Sequence, residues 1–371
     1  MPHDPYKALY VHLPFCVSRC AYCDFVTQAL HADSPEIDAY IDELCLQIRA
    51  KAKEGELASV ETVYLGGGTP SHVGSARLSK LLYLLGVSLH LTPESEVTME
   101  ANPESLTVPM VKDIWALGVN RLSIGVQSFD DDVLQVLGRA HSAARARDAI
   151  AEAHERFENV SIDLMCGVPG QSRESFVSSL QDAIDLGVTH VSIYPLTIER
   201  GTPFDKLLMR GAIEEPDEDE QAFQMSLAKD ILGKAGFSRY EVASYARPGF
   251  ECRHNVAYWT GVPYLGFGRS AVSMTQNAER RMRMQDGIPT DDLNAHQMMA
   301  EDLMMGMRMT RGVSDEQVEA AERAMPTRVL PVFEELCELG LAQHDGNRFT
   351  PTEQGWLCGN ELYGRIFDIA P

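Results

Sequence analysis

Six short, mostly apolar runs recur along the first part of the chain: KALYVHL, SVETVYL, EVTME, RLSIGV, NVSIDLM and HVSIYPL. They begin at Lys7, Ser59, Glu96, Arg121, Asn159 and His190. Each has the length and residue types of a strand. Between them lie segments such as IDAYIDELCLQIRAKA and SARLSKLLYLLGVSL, whose apolar residues return at helical spacing. Strand and helix alternating about six times imply α/β architecture, a parallel sheet covered by helices. Six units are too few for a closed eight-stranded barrel, so the expected fold is an open or partial (β/α)6 barrel. The composition shifts near Pro289. The remaining chain reads as helices and then a short hairpin around DGNRFTPT, the pattern of a small, mostly helical, winged-helix-like domain. The expected division is a barrel over residues 1–235, a linker and sheet extension over 236–288, and the winged-helix-like domain over 289–371.

The ends of the six runs carry the polar residues. The first leads into FCVSRCAYCDF, with Cys16, Cys20 and Cys23 in one loop. The second ends in GGGTP (Gly66 to Pro70), the third in Glu100 of MEANPES and the fourth in Gln127 of GVQSF. The fifth carries Asp163 in IDLMCGVP, and Thr197 and Glu199 follow the sixth. Parallel barrels place their sites at the C-terminal ends of their strands. A polar group or glycine turn at every expected end therefore predicts one shared site. In GGGTP the absence of side chains opens backbone N–H groups to an approaching amino or carboxylate group, although an ordinary strand-to-helix turn would also use glycines. Glu100 and Asp163 suit an ammonium or ribose hydroxyls, and Arg139 of LGRAH can pair with a carboxylate.

Composition narrows the chemistry of the cysteine loop. The chain has 371 residues, 44% of them hydrophobic, with no long apolar run and no basic stretch leading into one. A soluble, cytoplasmic protein with no integral membrane segment is expected. Thiols stay reduced there, so clustered cysteines point to metal binding or chemistry and not to disulfides. Three thiolates can hold an Fe4S4 cube and leave one iron for an outside ligand. Zinc usually takes four protein ligands, and no fourth cysteine or histidine follows Cys23 at finger-like spacing, though His12 and His31 flank the loop. Cys45, Cys166, Cys252, Cys337 and Cys358 are scattered and read as small buried hydrophobes. A net charge of −22 argues against nucleic acid or an anionic membrane as partner. Part of that charge lies in EEPDEDE (Glu214 to Glu220), which reads as a solvated helix start.

CVSRCAYC has the CxxxCxxC spacing of radical S-adenosylmethionine (SAM) proteins, which the chain resembles. YVHLPFC together with GGGTP narrows the resemblance to the group containing oxygen-independent coproporphyrinogen III dehydrogenase. Two features point further, to haem chaperones of the HemW type. Phe25 stands where the dehydrogenase has a fourth cysteine, and HNVAYW (His254 to Trp259) resembles the chaperones' HNxxYW motif. The resemblance spans nearly the whole chain. It implies a [4Fe-4S] cluster on Cys16, Cys20 and Cys23, with SAM on the fourth iron. Tyr10, Gly67, Gly68, Thr69, Glu100, Gln127, Arg139 and Asp163 would line the SAM pocket, with Tyr22 as an aromatic beside the cluster. His254 becomes the candidate axial ligand for haem. The chain departs from the family at GFGRSAVS, where Val272 replaces a histidine expected after the glycines.

Three functions are compatible with these features. One is a haem chaperone that passes haem to an acceptor protein, with a homodimer compatible. Another is a radical dehydrogenase acting on the propionates of coproporphyrinogen III. The last is another enzyme of the group, such as a methyltransferase. The missing fourth cysteine and the HNVAYW motif favour the first, without dehydrogenase activity. The helix HQMMAEDLMMGMRM could offer thioethers to iron, but core packing explains it more simply.

Overall fold

A computed structural model describes residues 3–370. Six parallel strands form its centre: β1 (Ala8–Leu13), β2 (Thr62–Gly67), β3 (Glu96–Ala101), β4 (Arg121–Gln127), β5 (Asn159–Cys166) and β6 (His190–Pro195). They stand side by side in chain order, each linked to the next by helical crossovers, which gives the expected partial barrel. The sheet continues at both ends. Beyond β6 lie β8 (Ser244–Ala246), antiparallel to it, and then β7 (Ser238–Arg239). Beyond β1 lies β9 (Tyr264–Phe267), a seventh parallel strand, followed by the antiparallel strands β10 (Val272–Gln276), β11 (Arg280–Gln285) and β12 (Ile288–Asn294). All twelve belong to one sheet that remains open.

The two faces of the central strands differ. Leu9, Val11, Val63, Leu65, Met99, Leu122, Ile124, Ile162, Leu164 and Ile193 are wholly buried under the covering helices. The helix over residues Pro35–Lys53 lays Ile37, Ile41, Leu44 and Ile48 on that face. Burying each such side chain stabilises the fold by roughly 1.5–3 kcal/mol. The alternate residues line the lumen and are polar: Thr62 and Tyr64, Glu96 and Glu100, Arg121 and Ser123, Ser161 and Asp163, His190 and Ser192. A parallel sheet covered on both faces would be apolar on both. A polar inner face marks a lumen built to hold something other than side-chain packing.

The helix Arg253–Trp259, which carries HNVAYW, closes the end of the lumen where the strands begin. Its cap residue Cys252 makes no side-chain capping bond. Glu96 supplies the cap from across the barrel, accepting from the Arg253 N–H at 2.8 Å and the His254 N–H at 3.0 Å.

The large sheet runs through Asn294. The helix Ala295–Gly306 then opens a second core containing Leu303, Met307, Val318, Phe333, Leu336, Leu362 and Ile366. A three-stranded sheet of Val313–Ser314, Ala342–Asp345 and Arg348–Pro351 completes it. The hairpin turns at Gly346, whose φ of 65° suits a residue without Cβ. Most methionines of the segment 296–309 do core work: Met307 and Met309 are buried, and Met299 and Met304 pack alongside. Among the described residues no helix is long and apolar enough to cross a membrane.

Candidate functional site

β1 ends at Leu13 and the cysteine loop begins at once, held to the strand tips by backbone bonds. The Thr69 N–H donates to the Phe15 carbonyl (2.8 Å), and the Ala21 N–H donates to the Leu137 carbonyl (3.0 Å). The loop's own turn is closed by the Cys23 N–H on the Cys20 carbonyl. All three thiols are free and half-buried. Thr69 Oγ1 donates to Cys16 Sγ at 3.4 Å, and Arg139 Nη1 donates to Cys20 Sγ at 3.5 Å. Burial pushes the Cys16 thiol up to about 11 and the Cys23 thiol upward as well. A metal that binds these sulfurs therefore displaces protons. No three potential ligands among the described residues surround a point that one ion could occupy. A four-iron cube would meet each thiolate at a separate iron. His12 is turned away, bonded to Tyr10 Oη and the Val26 carbonyl, and His31 is exposed beside Asp33.

Behind the loop lies a cavity of about 130 Å³. Eleven of the expected site residues line it: Cys16, Cys20, Tyr22, Cys23, Gly67, Gly68, Thr69, Glu100, Gln127, Arg139 and Asp163. Gln127 reaches it through a bulge in β4, with the residue at a φ of 66°. Glu100 accepts from Tyr64 Oη (2.8 Å) and from the Gly67 N–H (3.0 Å). Burial raises its carboxyl to about 7, against the pull of the Tyr64 bond, and the neighbouring Asp163 adds to the rise. Burial also raises Asp163, to about 6, although Arg121 opposes it. Tyr22 packs on an apolar cluster that includes Leu137 and Met165.

Three expectations need correction. The N–H groups of GGGTP are not open to a ligand: Gly67 donates to Glu100, Gly68 to the Leu13 carbonyl, and Thr69 to the Phe15 carbonyl. These glycines are required by crowding. A Cβ on Gly67 would stand 2.4 Å from the His12 ring, and one on Gly68 would stand 2.8 Å from the Phe15 nitrogen. What the turn can offer a ligand is carbonyl oxygen, an acceptor suited to an ammonium. Tyr10 does not line this cavity; it faces a neighbouring groove with Tyr258 and Tyr264. His254 is 1% exposed, with Nδ1 bonded to Thr62 Oγ1 (2.9 Å) and Nε2 to Tyr258 Oη (3.1 Å). Its ring stacks on Tyr64 at 5.1 Å, and burial lowers it to about 3. Neither nitrogen of this neutral, fully bonded imidazole is left for iron.

Asn102 was not anticipated. Its amide bridges the site, donating to Thr69 Oγ1 (3.0 Å) and accepting from Arg139 Nη2 (2.8 Å). Arg139 Nη2 also donates to the Gly125 carbonyl, while Nε is buried without a partner. The signal in the sequence was position, two residues beyond Glu100 at the same strand end. Glu96 and Arg121 were missed too. Charges at lumen-facing positions in otherwise apolar strands were the available sign.

A thiol loop over the C-terminal ends of a partial barrel, with a polar cavity behind it, is the arrangement of a radical SAM protein. Residues 10–183 match the radical SAM superfamily model, and residues 293–358 match the HemN C-terminal domain model. The chain is 37% identical over 379 residues to the protein named heme chaperone HemW from Mycobacterium tuberculosis, covering 98% of this chain and 95% of that one. It is 33% identical to the Bacillus subtilis protein of the same name, covering 96% and 98%. The solved structure of coproporphyrinogen III oxidase (HemN) from Escherichia coli, described as a radical SAM enzyme, superposes with a TM-score of 0.79. At 21% identity, covering 98% of this chain and 90% of that one, it shares the fold. This chain belongs to the HemW family.

Membership of the radical SAM superfamily implies a [4Fe-4S] cluster and SAM. The residues present fit both. Two of the three sulfurs already receive hydrogen bonds that would steady thiolate charge, and the buried, partnerless Arg139 Nε lies in the wall of the cavity.

Proposed function

We propose that this protein is a haem chaperone that holds a [4Fe-4S] cluster on Cys16, Cys20 and Cys23, binds SAM beside it, and delivers haem to an acceptor protein. The observation that carries this reading is near-full-length similarity at 33–37% identity to proteins named heme chaperone. Phe25, where the dehydrogenase has a further cysteine, supports it. Bound at the open iron, SAM would supply radical chemistry once the cluster is reduced. The chain's own contribution is placement. Carbonyls of the Gly66–Gly68 turn and the Asp163 carboxylate would accept from the ammonium and ribose hydroxyls, while Arg139 and Asn102 would hold a carboxylate and the wall around Cys20. Reduced thiols fit a cytoplasmic setting.

The competing reading, oxidation of coproporphyrinogen III, is favoured by the shared fold alone. Anaerobic protein with a reconstituted cluster is incubated with haem and, separately, with coproporphyrinogen III, SAM and a strong reductant. The chaperone reading expects a saturable Soret band in the first and no protoporphyrinogen IX in the second. Steady product formation with no haem binding would transfer the assignment to the enzyme.

A further inference from the structure

His254 is committed to the barrel plug, which leaves open where a porphyrin would sit. Outside the SAM cavity, a groove of about 840 Å³ runs between the β6 edge of the barrel and the C-terminal domain. This is the size of a small-molecule site. The C-terminal domain is fixed over it: Glu353 accepts from Ser226 Oγ (2.9 Å) and Lys229 Nζ (2.5 Å), and Trp356 packs 4.4 Å under the Arg239 guanidinium.

Among the described residues, three buried polar atoms in the walls of this groove have no hydrogen-bond partner: Trp259 Nε1, Arg308 Nε and Tyr363 Oη. Each can donate, and buried donors in folded proteins are nearly always paired. Burial raises the Glu241 carboxyl above its ordinary range, while the Trp259 indole beside it pulls the other way. Arg308 is the unusual member. The chain has 54 acidic residues against 32 basic ones, yet Arg308 has no ion pair and no side-chain hydrogen bond among the described residues. It lies instead over two aromatic rings, 5.3 Å from Trp259 and 4.4 Å from Tyr363. Stacking on two rings fixes the guanidinium without using its N–H groups. The exposed carboxylates Glu218 and Glu361 stand at the rim.

Tyr194 also lines the groove and is 43% exposed. Flat aromatic walls, a stacked free guanidinium and two neutral donors together match a flat, apolar molecule that ends in a carboxylate.

We infer that this groove is the haem cradle, with Arg308, Trp259 and Tyr363 receiving a propionate carboxylate and Tyr194 under the macrocycle. The inference rests on the haem reading proposed above. It is tested on the full chain, with cluster reconstituted, by Soret titration with haem and with haem dimethyl ester. Haem should bind at least about tenfold more tightly than the ester, as expected for one charge-assisted contact. Arg308→Gln should remove that preference, and Arg308→Lys should restore part of it. Tyr363→Phe, which removes only a hydroxyl, should weaken haem binding severalfold and covers the case in which Arg308→Gln fails to fold. Equal affinity of the wild type for haem and ester, or unchanged haem affinity in folded Arg308→Gln, overturns the cradle and leaves the haem reading standing. A wild type that gives no Soret band with either compound overturns both.

Discussion

The two ends of the barrel lumen are built from the same residue types and treat them differently. At the strand starts, Glu96, Thr62, His254 and Tyr258 satisfy one another: Glu96 caps a helix, and both nitrogens of His254 are bonded. At the strand ends, Asp163 faces a cavity and Arg139 retains a buried nitrogen with no partner. A carboxylate or imidazole in a lumen is therefore uninformative by type alone. Pairing alone does not separate scaffold from site, since Arg121 Nε at the strand starts is also buried without a partner among the described residues; what sets the strand ends apart is the cavity that Arg139 and Asp163 line. Tyr64 joins the two ends, stacking on His254 and donating to Glu100.

The strongest break of this contrast is at the open end. Replacing Cys16, Cys20 and Cys23 together with alanine should remove all cluster iron and sulfide and the brown colour, with the thermal melt of the apoprotein little changed. Full iron and sulfide in that variant would mean that the cluster is held elsewhere.

At the strand starts the expected loss is stability. His254→Ala removes two buried hydrogen bonds and a ring, leaves Thr62 and Tyr258 unpaired, and should cost about 2–4 kcal/mol in denaturant melts. Haem affinity of the folded fraction should stay within about twofold. A stable variant that no longer retains haem would return His254 to the iron.

Asp163→Asn should weaken SAM binding by about tenfold, the worth of one charge-assisted bond, at unchanged iron content. Calorimetry giving wild-type affinity would remove Asp163 from the site.

The smallest effect concerns Glu100. Its carboxyl is raised from 4.5 to about 7 in the folded protein. The native state thus keeps a proton that the unfolded chain releases, and stability falls as pH rises from about 4.5 to 7. Glu100→Gln cannot ionise, so its unfolding free energy should decline less across that window, by an amount on the order of 1 kcal/mol. Parallel pH profiles for both proteins would show that the Glu100 proton is not the cause.

The parallel strands were legible because their outward residues are mostly β-branched residues and leucine, and the cysteine loop because three thiols share eight residues. The roles within the lumen were not. The bonds of His254 to Thr62 and of Cys252 to Glu96 join residues 192 and 156 positions apart, and no local pattern records them. The glycines of GGGTP look the same in sequence whether they make room for a ligand or, as here, for His12 and Phe15. The edge strands β10–β12 alternate weakly and carry the charges of RRMRMQ, so the burial of Arg281 against Glu301 was not legible.

The seventh parallel strand also dictates an order of assembly. β1 carries the cysteine loop, and one of its two neighbours is β9, which the ribosome delivers some 250 residues later. Until Phe267 has emerged, the nascent barrel presents a naked edge of main-chain donors and acceptors beside its three thiols. Chains halted before that point would keep this edge open to pairing with other chains, beside thiols that β9 has not yet helped to fix.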